Sequence, residues 1–224
     1  MDVILQVSGL RFATGDGILV LDDVSFGVPR DGTALVVGPA SSGKTVLLKL
    51  LLRELTPSGG QILMLGRNVA RLSPTKVTQL RRRVGYMPEQ PAILSHRTVL
   101  DNLEFKLRAL ATPLEEMPDL VNRALQLARL EEEDQSLAEE LSPLQHKQLA
   151  LASAMVTEPP LLLCDDPLRD LGTDGQETIL ELLHGVRSAG TALVLTARDS
   201  EPARSLVQVA PQGTVVRLRQ EAVL

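Results

Sequence analysis

Residues 38–45 read Gly38, Pro39, Ala40, Ser41, Ser42, Gly43, Lys44 and Thr45, a complete G-x-x-x-x-G-K-[ST] pattern. Its setting fits as well as its spelling. Thr33 to Val37 is a short apolar run expected as a strand, and Lys44 to Leu55 carries Leu47, Leu48, Leu51 and Leu52 at helical spacing. A Gly-rich turn between strand and helix aims backbone N–H groups at a phosphate, and the helix N-terminus adds partial positive charge. Gly38, Ser41, Ser42 and Gly43 then form the cradle, Lys44 reaches the β and γ phosphates, and the Thr45 hydroxyl serves Mg²⁺.

Such a loop needs a carboxylate at the end of another core strand to hold the metal's shell. Leu161, Leu162, Leu163 and Cys164 are four apolar residues followed by Asp165, which is the expected metal carboxylate. Asp166 follows at once, and two adjacent carboxylates at a strand end are costly without a cation or a proton to offset them.

The rest of the chain sorts around this pair. Val3 to Val28 reads as strands turning at Gly15, Asp16 and Gly17, and Pro57 to Gly60 turns into a strand at Gln61 to Leu65. A basic helix ends at Arg81, Arg82 and Arg83 before a strand at Val84 to Met87. From Thr98 to about Thr157 no strand is expected. Thr98 and Asp101 form a capping box there, with helical stripes at Leu100, Leu103, Leu107 and Leu110 and at Leu120, Ala124, Leu127 and Leu130. The acidic run Glu131 to Asp134 reads as a solvated face. Beyond Pro159 and Pro160 come a strand at Leu161 to Cys164, a helix from about Gln176 to Arg187 capped by Asp174, a strand at Ala192 to Thr196, and a hairpin of 206–209 with 214–218 around Gly213. The expected fold is therefore α/β: a P-loop NTPase core over residues 1–89 and 158–224, with an N-terminal antiparallel β part and an inserted α-helical subdomain over about 90–157.

A chain of 224 residues with 44% hydrophobic content can bury a substantial core as one domain. The balance of 23 basic against 28 acidic residues gives no electrostatic footprint for nucleic acid or anionic lipid. No apolar run approaches the roughly 20 residues that cross a bilayer, and no signal peptide is visible, so a cytoplasmic chain without direct membrane insertion is expected. The single cysteine, Cys164, excludes an internal disulfide and reads as a small buried hydrophobe.

With these segments in this order, the chain resembles the ABC ATPase family over nearly its whole length. The resemblance implies ATP as ligand with Mg²⁺, a head-to-tail dimer with nucleotide at the interface, and a membrane partner. It implies that Phe12 stacks on adenine, although the residue alone also fits a core strand. Glu89 and Gln90 occupy the region of the family's Q-loop, whose glutamine contacts metal and nucleophilic water. Glu89 is the residue at that position by spacing from Thr98, which would place it in both the metal and the catalytic group.

The sequence also departs from the family. Leu141, Ser142, Pro143, Leu144 and Gln145 stand where it has L-S-G-G-Q, with both glycines replaced. Pro143 has no N–H and Leu144 adds bulk where backbone must approach phosphate. The same residues make a good helix start, with Ser as N-cap, Pro at N1 and Gln at N3. Ser142 is open to both roles, phosphate contact and cap. Asp166 replaces the catalytic glutamate, and its shorter side chain draws a general base back from its water. Gly172 replaces the aspartate ending the D-loop, and Arg198 stands at the histidine switch, where it can donate to a phosphate but cannot accept a proton. Binding groups are kept while turnover groups are altered.

Within the family, residues 47–54, Pro57, Gly60, Gln61, 77–83, 97–99 and Asn102 resemble the FtsE cell-division type, close to the LolD and MacB export and lipoprotein-release types. That likeness implies an FtsX-like integral membrane protein as partner and a place at the inner face of the cell membrane. ATP-binding subunits would pair as a homodimer or a heterodimer.

Overall fold

The computed structural model describes residues 2–198, 201–209 and 213–219. Two long strands, β1 (Val3–Ala13) and β2 (Leu19–Pro29), form an antiparallel ribbon across the expected turn. β4 (Gly59–Met64) and the short β5 (Arg67–Asn68) extend it into a four-stranded sheet of order β2-β1-β4-β5. β5 and the 3-10 turn that follows it are too short to carry a periodic signal, and the sequence reading passes over both.

The second sheet is parallel. β3 (Thr33–Val37) leads through the phosphate-loop motif into α1 (Lys44–Leu51). α2 (Pro74–Arg81) precedes β6 (Val84–Met87), which pairs with β7 (Leu161–Cys164). α6 (Thr173–Ser188), β8 (Ala192–Ala197), α7 (Glu201–Val209) and β9 (Thr214–Arg217) complete the order β6-β7-β8-β3-β9. Every residue of β3, β7 and β8 is buried, as a parallel sheet covered on both faces requires.

Alternation along these strands divides the core. Ala34, Val36, Leu161, Leu163 and Val194 face the antiparallel sheet and α1, while Leu35, Val37, Leu162, Leu193 and Leu195 face α6 and α7. Cys164 belongs to the second cluster and is 0% exposed, and burial pushes its thiol up, which leaves it inert.

Between β6 and β7 the described chain is helical, with α3 (Val99–Ala109), α4 (Met117–Ala128) and α5 (Pro143–Met155) around a cluster of their own. Val99, Leu103 and Leu107 are fully buried along α3, with Leu100 and Leu110 at the margins of that stripe. The Thr98 hydroxyl accepts from the Asp101 N–H at 3.0 Å. The acidic run is only half solvated. Glu131 and Glu132 are exposed, but Glu133 accepts from Ser136 at 2.6 Å and from Gln145 at 2.9 Å.

Two expectations are corrected here. The segment expected as the first hairpin strand, 206–209, lies in α7, where Leu206 and Val209 are buried one helical turn apart. β9 runs parallel to β3 instead of folding back, and residues 210–212, expected within the hairpin, lie outside the described residues. A four-residue segment with three apolar residues around Gln208 fits either period, which is why the sequence misled. α6 begins at Thr173 with Gly172 as its N-cap, so Asp174 supports the helix from its first turn and does not cap it. No helix among the described residues is long and apolar enough to cross a membrane.

Candidate functional site

The carboxyl ends of β3, β6, β7 and β8 open along one edge of the parallel sheet, the place where such sheets bind ligands. A cleft of about 450 Å³ lies there. Its walls are the loop 40–46, Val20, Glu89, Asp165, Asp166, Arg169 and Arg198.

The loop after β3 has the backbone its motif predicts. Gly43 takes φ 88° at the N-cap of α1, and no side chain caps that helix, so its first N–H groups face the cleft unclaimed by a cap. A Cβ at Gly38 would meet the Ser42 hydroxyl at 2.5 Å and the Leu218 carbonyl at 2.7 Å, so only glycine fits between the loop and the chain beyond β9. The Lys44 ammonium donates to the carbonyls of Gly38 at 2.8 Å and Pro39 at 2.6 Å and to the Ser42 hydroxyl at 3.3 Å. Burial lowers its pKa, against the pull of Asp166 and Asp165.

Asp165 is 3% exposed and fully engaged. Thr45 donates to its Oδ2 at 2.7 Å and Thr196, the penultimate residue of β8, donates to its Oδ1 at 2.7 Å. Thr196 in turn accepts from the Asp166 N–H at 3.0 Å, so one buried hydroxyl fixes both neighbouring acids. Asp166 sits at φ 49°, a left-handed conformation that Asp tolerates better than most residues. Its carboxylate lies 3.8 Å from the Arg198 Nε. Burial raises the Asp166 pKa, Arg198 opposes that rise, and Asp165 adds to it.

Thr45 and Asp165 offer a hydroxyl and a carboxylate side by side, hard oxygen donors of the kind Mg²⁺ takes when phosphates and waters complete its shell. Among the described residues no group of three or more His, Cys, Asp or Glu forms a self-sufficient metal cluster, so the residues fit a metal shared with a phosphate ligand. Glu89, expected in the metal group, lines the cleft and is ion-paired with Arg169.

Gly43, Lys44, Thr45, Ser41, Ser42, Asp165, Asp166, Glu89 and Arg198 thus converge on the cleft, while Gly38 is not among the lining residues and meets the site through its carbonyl, which accepts from Lys44. Gln90 is exposed beside it. Phe12 is not among the lining residues: it pairs with Leu21 across β1 and β2 and packs on the core, and Val20 is the residue of that ribbon at the cleft. Ser142 is also absent from the lining. Its hydroxyl accepts from the Gln145 N–H at 3.3 Å and its N–H donates to the Gln145 side chain at 2.9 Å, a complete capping box at the start of α5. Leu144 packs against the cluster beneath α6. The sequence reading missed Thr196, Val20 and Arg169, and only the threonine within an apolar strand offered a local signal.

A family model described as ABC transporter matches residues 21–169. The chain is 33% identical over 207 residues to a cobalt import ATP-binding protein, CbiO, of Rhodobacter capsulatus, covering 92% of this chain and 74% of that protein. It is 28% identical over 206 residues to the cell division ATP-binding protein FtsE of Mycobacterium tuberculosis, covering 91% of this chain and 90% of that one. The structure of CbiO1 from Clostridium perfringens, part of the CbiONQ transporter complex, superposes with a TM-score of 0.88 at 24% identity, covering 99% of this chain and 88% of the other.

Proposed function

The chain belongs to the ABC transporter family, and on that premise we propose that this ATP-binding subunit holds Mg-ATP in the cleft, hydrolyses it slowly or not at all, and acts as a binding-driven switch on a membrane partner. The observation that carries this reading is the contrast around Asp165 and Asp166. The buried Asp165 and Thr196 and the half-buried Thr45 form a hydrogen-bonded set suited to holding a metal and a phosphate. Asp166, by contrast, faces the Arg198 guanidinium, a cation that cannot take a proton from an attacking water.

When bound, Mg²⁺ would neutralise phosphate charge and polarise the terminal phosphoryl group, with Thr45 and Asp165 as its protein ligands. Lys44 and the α1 N-terminus orient the phosphates, and Arg198 offers a further donor. Phe12 remains a proposed adenine contact only if the base reaches past Val20 along β1. Across a dimer, Pro143 presents no N–H and Ser142 is spent on its own helix, which weakens the contact that would glue two copies together. A heterodimer with a subunit of intact signature therefore fits better than a homodimer.

The finer assignment is a FtsE-like subunit, whose helical part at about 90–157 would relay nucleotide binding to an FtsX-like partner at the inner face of the cell membrane. The segments at 47–54, 77–83 and 97–99, with Asn102, support it. Overall identity does not, since 28% to FtsE stands beside 33% to a cobalt importer. A second reading, an active ATPase of LolD-like or MacB-like type, keeps Asp166 as its base, since this carboxylate lines the cleft next to Asp165 and burial raises its pKa while Arg198 opposes that rise.

Base-labelled Mg-ATP trapped on the purified chain, with Lys44→Ala as baseline, separates these readings. Retained, unchanged ATP supports the switch. Lys44-dependent conversion to ADP supports the active ATPase, and absence of retention overturns both.

A further inference from the structure

The cleft carries one more cation than the phosphate chemistry above employs. Arg169, on the loop after β7, lines the cleft, and its Nη1 is ion-paired with the Glu89 Oε1. The two side chains are 34% and 30% exposed, so the pair is largely shielded from water. Its other carboxylate contact is weaker: the Nε lies 3.5 Å from Asp170, whose side chain is 85% exposed. Glu89 is gripped a second time through its backbone, because the nearly buried Lys147 of α5 donates to the Glu89 carbonyl at 3.1 Å. One residue thus joins the loop after β6, the loop after β7 and the helical region.

A guanidinium fork fits a carboxylate and a phosphate through the same paired N–H groups. Glu89 and any phosphate placed at this side of the cleft therefore compete for Arg169. The loop N–H groups and Lys44 serve the phosphates nearest the motif. A further phosphate on the side of the cleft lined by Glu89, Asp165 and Asp166 would meet their negative charge, and besides the metal and Arg198 the lining offers Arg169 as one more cation to offset it.

We propose that Arg169 is a terminal-phosphate contact held in reserve by Glu89, so that a nucleoside triphosphate takes the guanidinium from Glu89, while a diphosphate leaves the pair intact. This inference rests on the nucleotide-binding reading above.

The test measures ATP and ADP affinity, in Mg²⁺, for the unmodified chain, Arg169→Ala, Glu89→Gln and the double variant. Arg169→Ala lowers the ratio of ATP to ADP affinity by roughly tenfold, the loss of one charge-assisted contact. Glu89→Gln removes the competitor and raises the same ratio by about threefold or more. Damage to the fold would move both single variants in one direction, and the double variant separates exchange from bulk charge: if Glu89 acts by competing for Arg169, the double variant keeps the lowered ratio of Arg169→Ala, whereas cancellation back to the unmodified ratio overturns the exchange. Ratios that stay constant, or fall in both single variants, overturn it and leave the nucleotide reading standing. An unmodified chain that binds neither nucleotide overturns the nucleotide reading and this inference with it.

Discussion

The ends of β3, β7 and β8 and the start of α5 both gather short polar side chains next to apolar runs, yet they use them differently. At the sheet edge, Thr45 and Thr196 come from different strand-loop connections and meet on Asp165, so their hydrogen bonds cross the fold. At α5, Ser142 and Gln145 bond each other three residues apart, and Gln145 also donates to Glu133, 12 residues earlier. The first cluster is non-local and faces a cleft. The second completes a helix. Short-range polar bonding of this kind becomes part of a binding site where the fold brings the partners from far apart and leaves room between them.

This contrast can be broken in order of expected effect. Asp165→Ala should cut Mg-ATP retention by roughly 100-fold, and it should lower stability by about 1–3 kcal/mol because Thr45 and Thr196 lose their acceptor. Filter retention and urea unfolding read the two effects, and a mild result on both would erase the distinction between the regions.

The helical region has its own buried charge. Lys106 of α3 donates to the Ser153 carbonyl of α5, and burial lowers its pKa to about 8. The unfolded chain binds more protons between that value and the ordinary lysine value, so stability should rise with pH across this window. Lys106→Met should therefore stabilise the chain at pH 7 by about 1–3 kcal/mol and lose the advantage near pH 10.5, as followed by urea midpoints at each pH. A flat pH profile in the unmodified chain would contradict it.

Replacing Pro143 and Leu144 together with glycine should cost about 1–2 kcal/mol by weakening the first turn of α5 and removing the Leu144 packing. If ATP turnover appears in that variant, the signature segment was limiting. Ser142→Ala should cost about 1 kcal/mol through the lost cap, measured by thermal unfolding. A loss of ATP retention as well would show that Ser142 also serves phosphate, which sharpens the comparison.

How much could be read before the structure follows the same line between local and non-local. β3 and β7 were legible to the residue, because apolar runs bounded by a glycine loop and by acids leave one assignment. The loop 38–45 and Asp165 were legible because their chemistry is written in consecutive residues. Arg169 was not, since an Arg-Asp pair in a loop reads as solvated until Glu89, 80 positions earlier, is brought against it. Phe12 shows the reverse case: its residue type suits a base, but its place in the β1–β2 pairing turns it to the core. α7 failed for a simpler reason, a stripe too short to reveal its period.

The position of β3 also bears on how the protein comes into being. Its two partners are β8 and β9, drawn from residues 192–197 and 214–217, and the Leu218 N–H closes on the Val37 carbonyl just below the loop. During synthesis, the phosphate loop emerges long before either strand that holds it. Nucleotide therefore has no organised seat on the nascent chain until nearly all of these residues have left the ribosome. Pairings of such long sequence separation form slowly, which leaves β3, apolar on both faces, as the segment most in need of protection while it waits.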